Sequence, residues 1–335
     1  MKIFLSLVFV ITLIFGDKTL KIASYNVENL FDLQKSGHEY LEYVPDTSAN
    51  WNKRTYKIKL HNIAKVIKEI DADIIALQEI ESLEALKDLR FTLKQNGLYY
   101  QYYKIADKKN TTVKVALLSK IPFVYAKELS VTPTFKYRNI LESKSTINKK
   151  DIYLFINHWK SKSGPESRRI VSAKALQKRI KQLGYDKNII LLGDFNSDYE
   201  EYKKFERKRK HNDTNGKTGI NHILKTIEQN KEASLANYEK ENFYNLWYDT
   251  KEDKRFTYIF RGEKEALDNI LISQSLLKRE KVYYKNSSII SYNPTYLLKG
   301  KSINRWKTNR NKPYKHRGEG YSDHLPVVAK FIVTD

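Results

Sequence analysis

The residues able to do chemistry sit at the ends of short apolar runs. Asn26 closes the run in Ser24-Tyr25-Asn26-Val27-Glu28-Asn29, and Glu79 closes that in Ala76-Leu77-Gln78-Glu79-Ile80. His158 follows Tyr153-Leu154-Phe155-Ile156-Asn157, and Asp194 with Asn196 follows Ile189-Ile190-Leu191-Leu192-Gly193. Asp268 instead precedes Asn269-Ile270-Leu271-Ile272, and Asp323-His324 precedes Leu325-Pro326-Val327-Val328. If the last two runs are strands antiparallel to the others, strand ends of one sense and strand starts of the other meet at one edge. Carboxylates, carboxamides and imidazoles would then share one cleft, a set able to hold a hard cation and move protons. Each has a plainer reading: Asn26 and Asn196 as turn residues, Asp194 as a turn or cap residue after Gly193, Asp268 as structural. Six placements in one consistent pattern favour the cleft.

The elements that must position these groups are legible in outline. Leu20–Tyr25, Ile74–Leu77, Val113–Leu118, Ile152–Ile156, Ile189–Leu192, Ile270–Ile272 and Val327–Val333 have the length and composition of buried strands. Tyr56, Leu60, Ile63, Ile67 and Ile70 recur at helical spacing, as do Val171, Ala175, Leu176, Ile180 and Leu183. Strands mixed with long helices predict a layered α/β (α+β) domain. No repeat period and no Pro/Gly/Ser linker divides residues 17–335, so one domain is the simpler reading. Residues 199–254 are highly charged with weak periodicity and read as an insertion of helices and loops.

The 335 residues suffice for a large core, and the formal net charge is +22. Such a surface favours polyanions, although a lysine-rich composition alone would produce the same figure. The eight cations from Lys299 to Arg317 have no acidic residue among them and enclose Trp306 and Tyr314. That basic loop would repel itself unless something polyanionic binds it. The chain has no cysteine, which excludes disulfides, thiolate metal sites and a cysteine nucleophile. Residues 1–16 read as an export signal: Lys2, an apolar stretch from Ile3 to Phe15, then Gly16 before Asp17-Lys18. Ile14 fits the usual cleavage pattern poorly, which leaves the cut position open, and the stretch falls short of the roughly 20 residues of a membrane span. A secreted or periplasmic monomer without stable membrane association is expected after its removal.

Taken together, "SYNVENLFD", "LQEIE", "NHWKSK", "LLGDFNSD", "LDNILIS" and "YSDHLPV" resemble the ordered motif set of the endonuclease/exonuclease/phosphatase superfamily, over roughly Lys21 to Thr334. The superfamily includes deoxyribonuclease I, exonuclease III, neutral sphingomyelinases and inositol polyphosphate phosphatases; exported bacterial nucleases are the nearest in character. The resemblance implies a four-layer α/β sandwich: two mixed, mainly antiparallel sheets packed face to face and flanked by helices. It also implies hydrolysis of a phosphodiester by in-line attack of water, with a divalent cation such as Mg²⁺, Mn²⁺ or Ca²⁺ offsetting charge on the phosphate oxygens.

Roles follow by analogy. Glu79, Asn26 and Asp323 would hold the metal. Asp194 would orient or deprotonate the water, with Asn196 beside it. His324, partnered by Asp268, would bind phosphate or act as base, and His158 would act as acid or phosphate donor. Arg138 in "KYRNILES" resembles a family arginine that contacts the substrate phosphate, against the plainer reading of a surface ion pair. Lys160 and Lys162 could grip a phosphate, and Arg305, Trp306 and Arg310 could contact phosphates and stack bases. Glu28, Glu81 and Asp198 read as solvated neighbours, and His38, His61, His211, His222 and His316 as ordinary histidines. One departure shows: only Asp107 is acidic between Gly97 and Lys120, so His158 lacks the glutamate partner of deoxyribonuclease I-like enzymes. The expected substrate is nucleic acid, DNA rather than RNA. A lipid or inositol phosphate, or a non-catalytic basic surface, are the alternatives.

Overall fold

Along the first strand, alternate side chains enter two different cores, and this parity organises the molecule. The computed structural model describes residues 17–205, 211–226, 241–309, 311–312 and 314–335; the expected export signal and Arg310 lie outside them. In chain order the first strands are β1 (Lys18–Leu30), β2 (Ile74–Ile80), β3 (Tyr102–Ile105), β4 (Lys114–Ser119), β5 (Tyr125–Leu129) and β6 (Ile140–Ile147). They are followed by β7 (Lys150–His158), β8 (Ile189–Asp194), β9 (Tyr244–Asn245), β10 (Tyr258–Phe260), β11 (Glu263–Glu265) and β12 (Asp268–Ile272). The last are β13 (Val282–Tyr284), β14 (Ile290–Ser291), β15 (Leu298–Lys299), β16 (Ser302–Ile303) and β17 (Val327–Val333). The α-helices are α1 (Lys53–Ile70), α2 (Leu83–Gln95), α3 (Glu166–Leu183) and the short α4 (Glu201–Phe205).

One sheet runs β13-β17-β1-β2-β4-β3, with β14 also on β17, and the other runs β5-β6-β7-β8-β12-β9. Each contains one parallel pair, β1–β2 and β7–β8, and is otherwise antiparallel. On β1, Leu20 and Ile22 face the other sheet while Ala23, Tyr25 and Val27 face α1 and α2. On β7, Ile152, Leu154 and Ile156 enter the space between sheets, whereas Tyr153 and Phe155 pack under α3. Three apolar layers therefore separate four layers of secondary structure. This is the α/β sandwich expected from the motif set.

Burying each large aliphatic or aromatic side chain in these layers stabilises by about 1.5–3 kcal/mol. Helix α1 buries Tyr56, Leu60, Ile63, Ile67 and Ile70 as its spacing predicts, and starts at a capping box in which Asn52 accepts from Arg54 N and Thr55 N. The buried stripe of α3 is offset from the predicted one: Ser172, Ala173, Leu176 and Ile180 are covered, and Val171 and Ala175 flank it. The buried Arg169 at its start, ion-paired with Glu166, pulls polar residues into that stripe. The charged stretch after Tyr199 contains α4, a π-turn at Gly219–Ile223 and short 3₁₀ turns, but also β9, which pairs with β12 at the sheet edge.

Candidate active site

The same parity delivers the chemical groups. Asn26 continues the inter-sheet face of Leu20 and Ile22 on β1. His158 continues that of Leu154 and Ile156 on β7, and Asp194 that of Ile190 and Leu192 on β8. Asp268 begins the inter-sheet face of Ile270 and Ile272 on β12, which runs antiparallel to β8 with Asp268 opposite Asp194. Because β7 and β8 are parallel, His158 stands level with Asp194. Gly193 permits this: a Cβ there would lie 2.1 Å from Asn157 O, at φ +131°.

Glu79 breaks the rule. Strict alternation on β2 would send it toward the helices with Ile75 and Leu77, yet the pairing slips between Gln78 and Ile80 and Glu79 takes φ +66°. Its carboxylate thereby faces the site. Glu28, Asn29 and Asn196 also have positive φ, so strained backbone clusters here.

The resulting contacts are dense. Asn26 Nδ2 donates to Asp194 Oδ2 at 3.0 Å and to Glu79 Oε1 at 3.2 Å, and Asn29 N donates to Glu79 Oε2 at 2.9 Å. Asp194 also accepts from Asn196 N (2.7 Å) and Asn196 Nδ2 (3.1 Å). His158 Nε2 lies 3.5 Å from Asp194 Oδ2 and 3.7 Å from Glu79 Oε1, while its buried Nδ1 has no hydrogen-bond partner among the described residues. His324 Nδ1 meets Asp268 Oδ2 at 2.7 Å, and its Nε2 is 4.0 Å from Asp194. Ser322 Oγ donates to Asn26 O and accepts from His324 N, tying the last motif to the first.

The two imidazoles differ in charge. Burial pushes His158 well below the ordinary histidine range, and the nearby cations Arg138, His324 and Lys160 push the same way. For His324, burial also lowers the pKa, but the Asp268 charge and hydrogen bond outweigh it, with Asp194 and Asp323 adding, and hold it well above that range. Burial raises Glu79, reinforced by Asp323, and raises Asp194 to about 7, against the opposing pull of His324. His324 is thus the imidazolium and His158 the neutral ring.

Glu79, His158, Asp194, Asn196 and His324 line a cavity of about 860 Å³ with Asn29, Tyr40, Arg138, Tyr258, Phe260, Arg261 and Asp323. Asp194, Asp268 and His324 offer atoms within 4.8 Å of one another, but the 2.7 Å Asp268–His324 contact is a hydrogen bond that a metal would have to break. Glu79 and Asp323 fit a divalent cation better. Both are hard oxygen donors on the cavity wall, and mutual repulsion with burial raises Glu79 in a way that a cation would relieve. Asn26 turns its Oδ1 to Glu28 N and its Nδ2 to the two carboxylates, so it positions them.

The cationic residues correct several expectations. Trp306 is 3 % exposed, packed edge-on against Trp51 and donating from Nε1 to His316 Nδ1 at 2.8 Å, so it has no free face for a base. Arg305 is hydrogen-bonded to Glu28 and lies 3.3 Å from Asp323. Lys162 lines the cavity, but its ammonium binds Glu201 at 2.9 Å and Glu265 at 2.7 Å. These carboxylates, remote in sequence, consume charge that the local spelling suggested was free. Lys160 lies 5.5 Å from the Tyr137 ring centre and does not line the cavity. Within the basic run, Lys307 also pairs with Glu319 at 3.0 Å, Arg317 lies 3.7 Å from the same carboxylate, and His316 is buried. Glu28, Glu81 and Asp198 are buried rather than solvated. Arg138 donates to Trp159 O at 3.3 Å and has no carboxylate within ion-pair distance among the described residues. Tyr258, which lies against His324 at 4.9 Å between ring centres, carries no sequence signal; Ser322 is visible beside "SDH".

Comparison with known proteins agrees with this geometry. The Endonuclease/Exonuclease/phosphatase family model matches residues 21–332, and the chain belongs to that family. It is accordingly a metal-dependent phosphoesterase, a hydrolase acting on ester bonds. Among solved structures it is similar to D. rerio TDP2 complexed with single strand DNA product (14 % identity, TM-score 0.56, covering 94 % of this chain and 99 % of that one). An endonuclease/exonuclease/phosphatase family protein from Bacteroides thetaiotaomicron is similar at 16 % identity and TM-score 0.56, over 96 % and 100 % of the two chains. A mannosyl-6-phosphatase from the same organism has 17 % identity and TM-score 0.54, over 93 % and 99 %. No curated protein matches the sequence.

Proposed function

We propose that the chain is an exported nuclease that hydrolyses phosphodiester bonds of nucleic acid, DNA in the first instance, with Mg²⁺ as its cofactor. One observation carries the substrate class. Arg138 and Arg261, from different loops, line the acidic and imidazole-bearing cavity with no carboxylate in ion-pair reach among the described residues. A polynucleotide offers phosphates beyond the one being cut, and such guanidinium groups suit them. The chain's +22 charge adds long-range attraction. Among similar structures, TDP2 of D. rerio is in complex with a single-strand DNA product. Export rests on the character of residues 1–16.

In this reading Arg138 and the His324 imidazolium bind the non-bridging oxygens. Asp194, raised to about 7, accepts the proton of the attacking water, which Asn196 helps orient. Asp268 keeps His324 charged and fixes its ring. His158, being neutral, donates a hydrogen bond to phosphate. Glu79 and Asp323 would hold a divalent cation, which when bound would add to the neutralisation of the phosphate.

The test is hydrolysis of linear DNA, plasmid, RNA, sphingomyelin and inositol phosphates with Mg²⁺ or Mn²⁺, with EDTA controls. Cleavage of DNA silenced by EDTA and lost in His158→Ala, Asp194→Ala and His324→Ala is expected, with affinity falling steeply as salt rises. Hydrolysis confined to the lipid or inositol substrates, or a nearly salt-independent affinity, would overturn the nucleic-acid reading.

A further inference from the structure

A two-stranded hairpin, β10–β11, stands over the imidazolium of the site. Its root is fixed: Tyr258 packs against the His324 ring and bridges to its backbone, Leu325 N donates to Thr257 O at 2.7 Å, and Glu265 binds Lys162 at 2.7 Å. Its tip is fixed too. Arg261 and Gly262 have φ of +51° and +87°, the pair of positive values that a tight two-residue hairpin turn requires. Ile259 is partly buried and packs against the core under α1 and α2, so Tyr258 and Phe260, two residues apart, share the opposite face.

That face puts Phe260 about 6.6 Å beyond Tyr258 along the strand, on the cavity wall. Phe260 is 53 % exposed, and the Arg261 guanidinium lies 5.3 Å from its ring centre. An aromatic face paired with a cation, on the wall of the same cavity as a phosphate-binding imidazolium and one strand repeat beyond the tyrosine that packs against it, is the chemistry of single-strand recognition.

We infer that Phe260, backed by Arg261, is a base-stacking subsite for the nucleotide beside the phosphate held at His324. This rests on the nuclease reading above. A base inside a duplex has no free face, so the subsite takes an unpaired nucleotide and gives a preference for single strands. A membrane-docking role fits less well, because the hairpin's extremity, Arg261-Gly262-Glu263-Lys264, is charged.

The experiment compares kcat/KM on a single-stranded deoxyoligonucleotide and on the same backbone built of base-free tetrahydrofuran residues, for the full chain and its Phe260→Ala and Phe260→Trp variants. Phe260→Ala is expected to lose about tenfold on the base-bearing strand and nothing on the base-free one, with Phe260→Trp restoring the loss. Equal loss on both strands, or none on either, would overturn the subsite. A parent chain inert toward both strands would overturn the nuclease reading itself. Binding to phosphatidylglycerol vesicles that Phe260→Ala abolishes, with oligonucleotide cleavage unchanged, would reassign the hairpin to a lipid surface.

Discussion

Asp194 and Asp268 stand directly opposite each other on β8 and β12, both buried, with His324 reaching both. Like charges in opposing positions of a sheet destabilise it, and a buried carboxylate needs a partner. The imidazolium meets both needs, and stability and chemistry are coupled through one ring.

Asp268→Asn removes the charge that keeps His324 protonated. We expect kcat to fall at least about 100-fold, with KM changed little. In chelated protein, NMR should show a His324 imidazolium persisting well above the ordinary histidine range and lost at lower pH in the variant. A parent His324 that titrates within or below the ordinary histidine range would contradict the assignment.

Glu79→Gln leaves the shape of the site and removes the charge assigned to the cation. Mn²⁺ affinity, followed by calorimetry or EPR, should weaken at least about tenfold, in line with the loss of a metal-site group. Circular dichroism should be unchanged. Undiminished Mn²⁺ binding would place the cation elsewhere.

Gly193 is fixed by contact rather than by chemistry. In Gly193→Ala the new methyl would collide with Asn157 O, displacing β7 from β8 where His158 and Asp194 stand level. Overpacking against unyielding backbone, added to an unfavourable φ, should lower stability by about 3 kcal/mol or more in urea unfolding. A loss below about 1 kcal/mol would show that the strands can part freely.

His316 predicts an acid weakness remote from the reaction. Burial lowers its pKa to about 4, and its Nδ1 accepts from Trp306 while Nε2 contacts Glu42 O, a pattern only the neutral ring satisfies. The unfolded chain, with an ordinary histidine, binds the proton first. The contribution is therefore full above pH 6.5 and fades as pH falls from 6.5 to 4, by about 3 kcal/mol in total. Urea midpoints across that window should fall less in His316→Leu than in the parent chain. Parallel curves would refute the assignment.

Much of the arrangement is legible before folding. Seven apolar runs predict seven strands, because a strand buried on both faces must be apolar throughout. Strands β3, β5, β6 and the short later strands escape notice: "ILESKSTI" in β6 is largely polar, and its Glu142 is buried where Arg179 of α3 and the Tyr125 hydroxyl each hydrogen-bond it at 2.7 Å. The positions of Asn26, His158, Asp194 and Asp268 follow from strand ends and period two. Glu79 reaches the site through a slip of register, which depends on pairing with a neighbouring strand and has no spelling of its own.

Residue type and order alone carried the motif resemblance that implied the family and the sandwich, and local periodicity showed which polar groups stand at strand ends. Tertiary structure decided which charges remain available. Arg305 and Lys162 are neutralised by carboxylates far along the chain, Trp306 is enclosed, and Phe260 is left bare on the cavity wall. Coulombic pairing and burial act between residues that only folding brings together, so no stretch of sequence read by itself reveals their outcome.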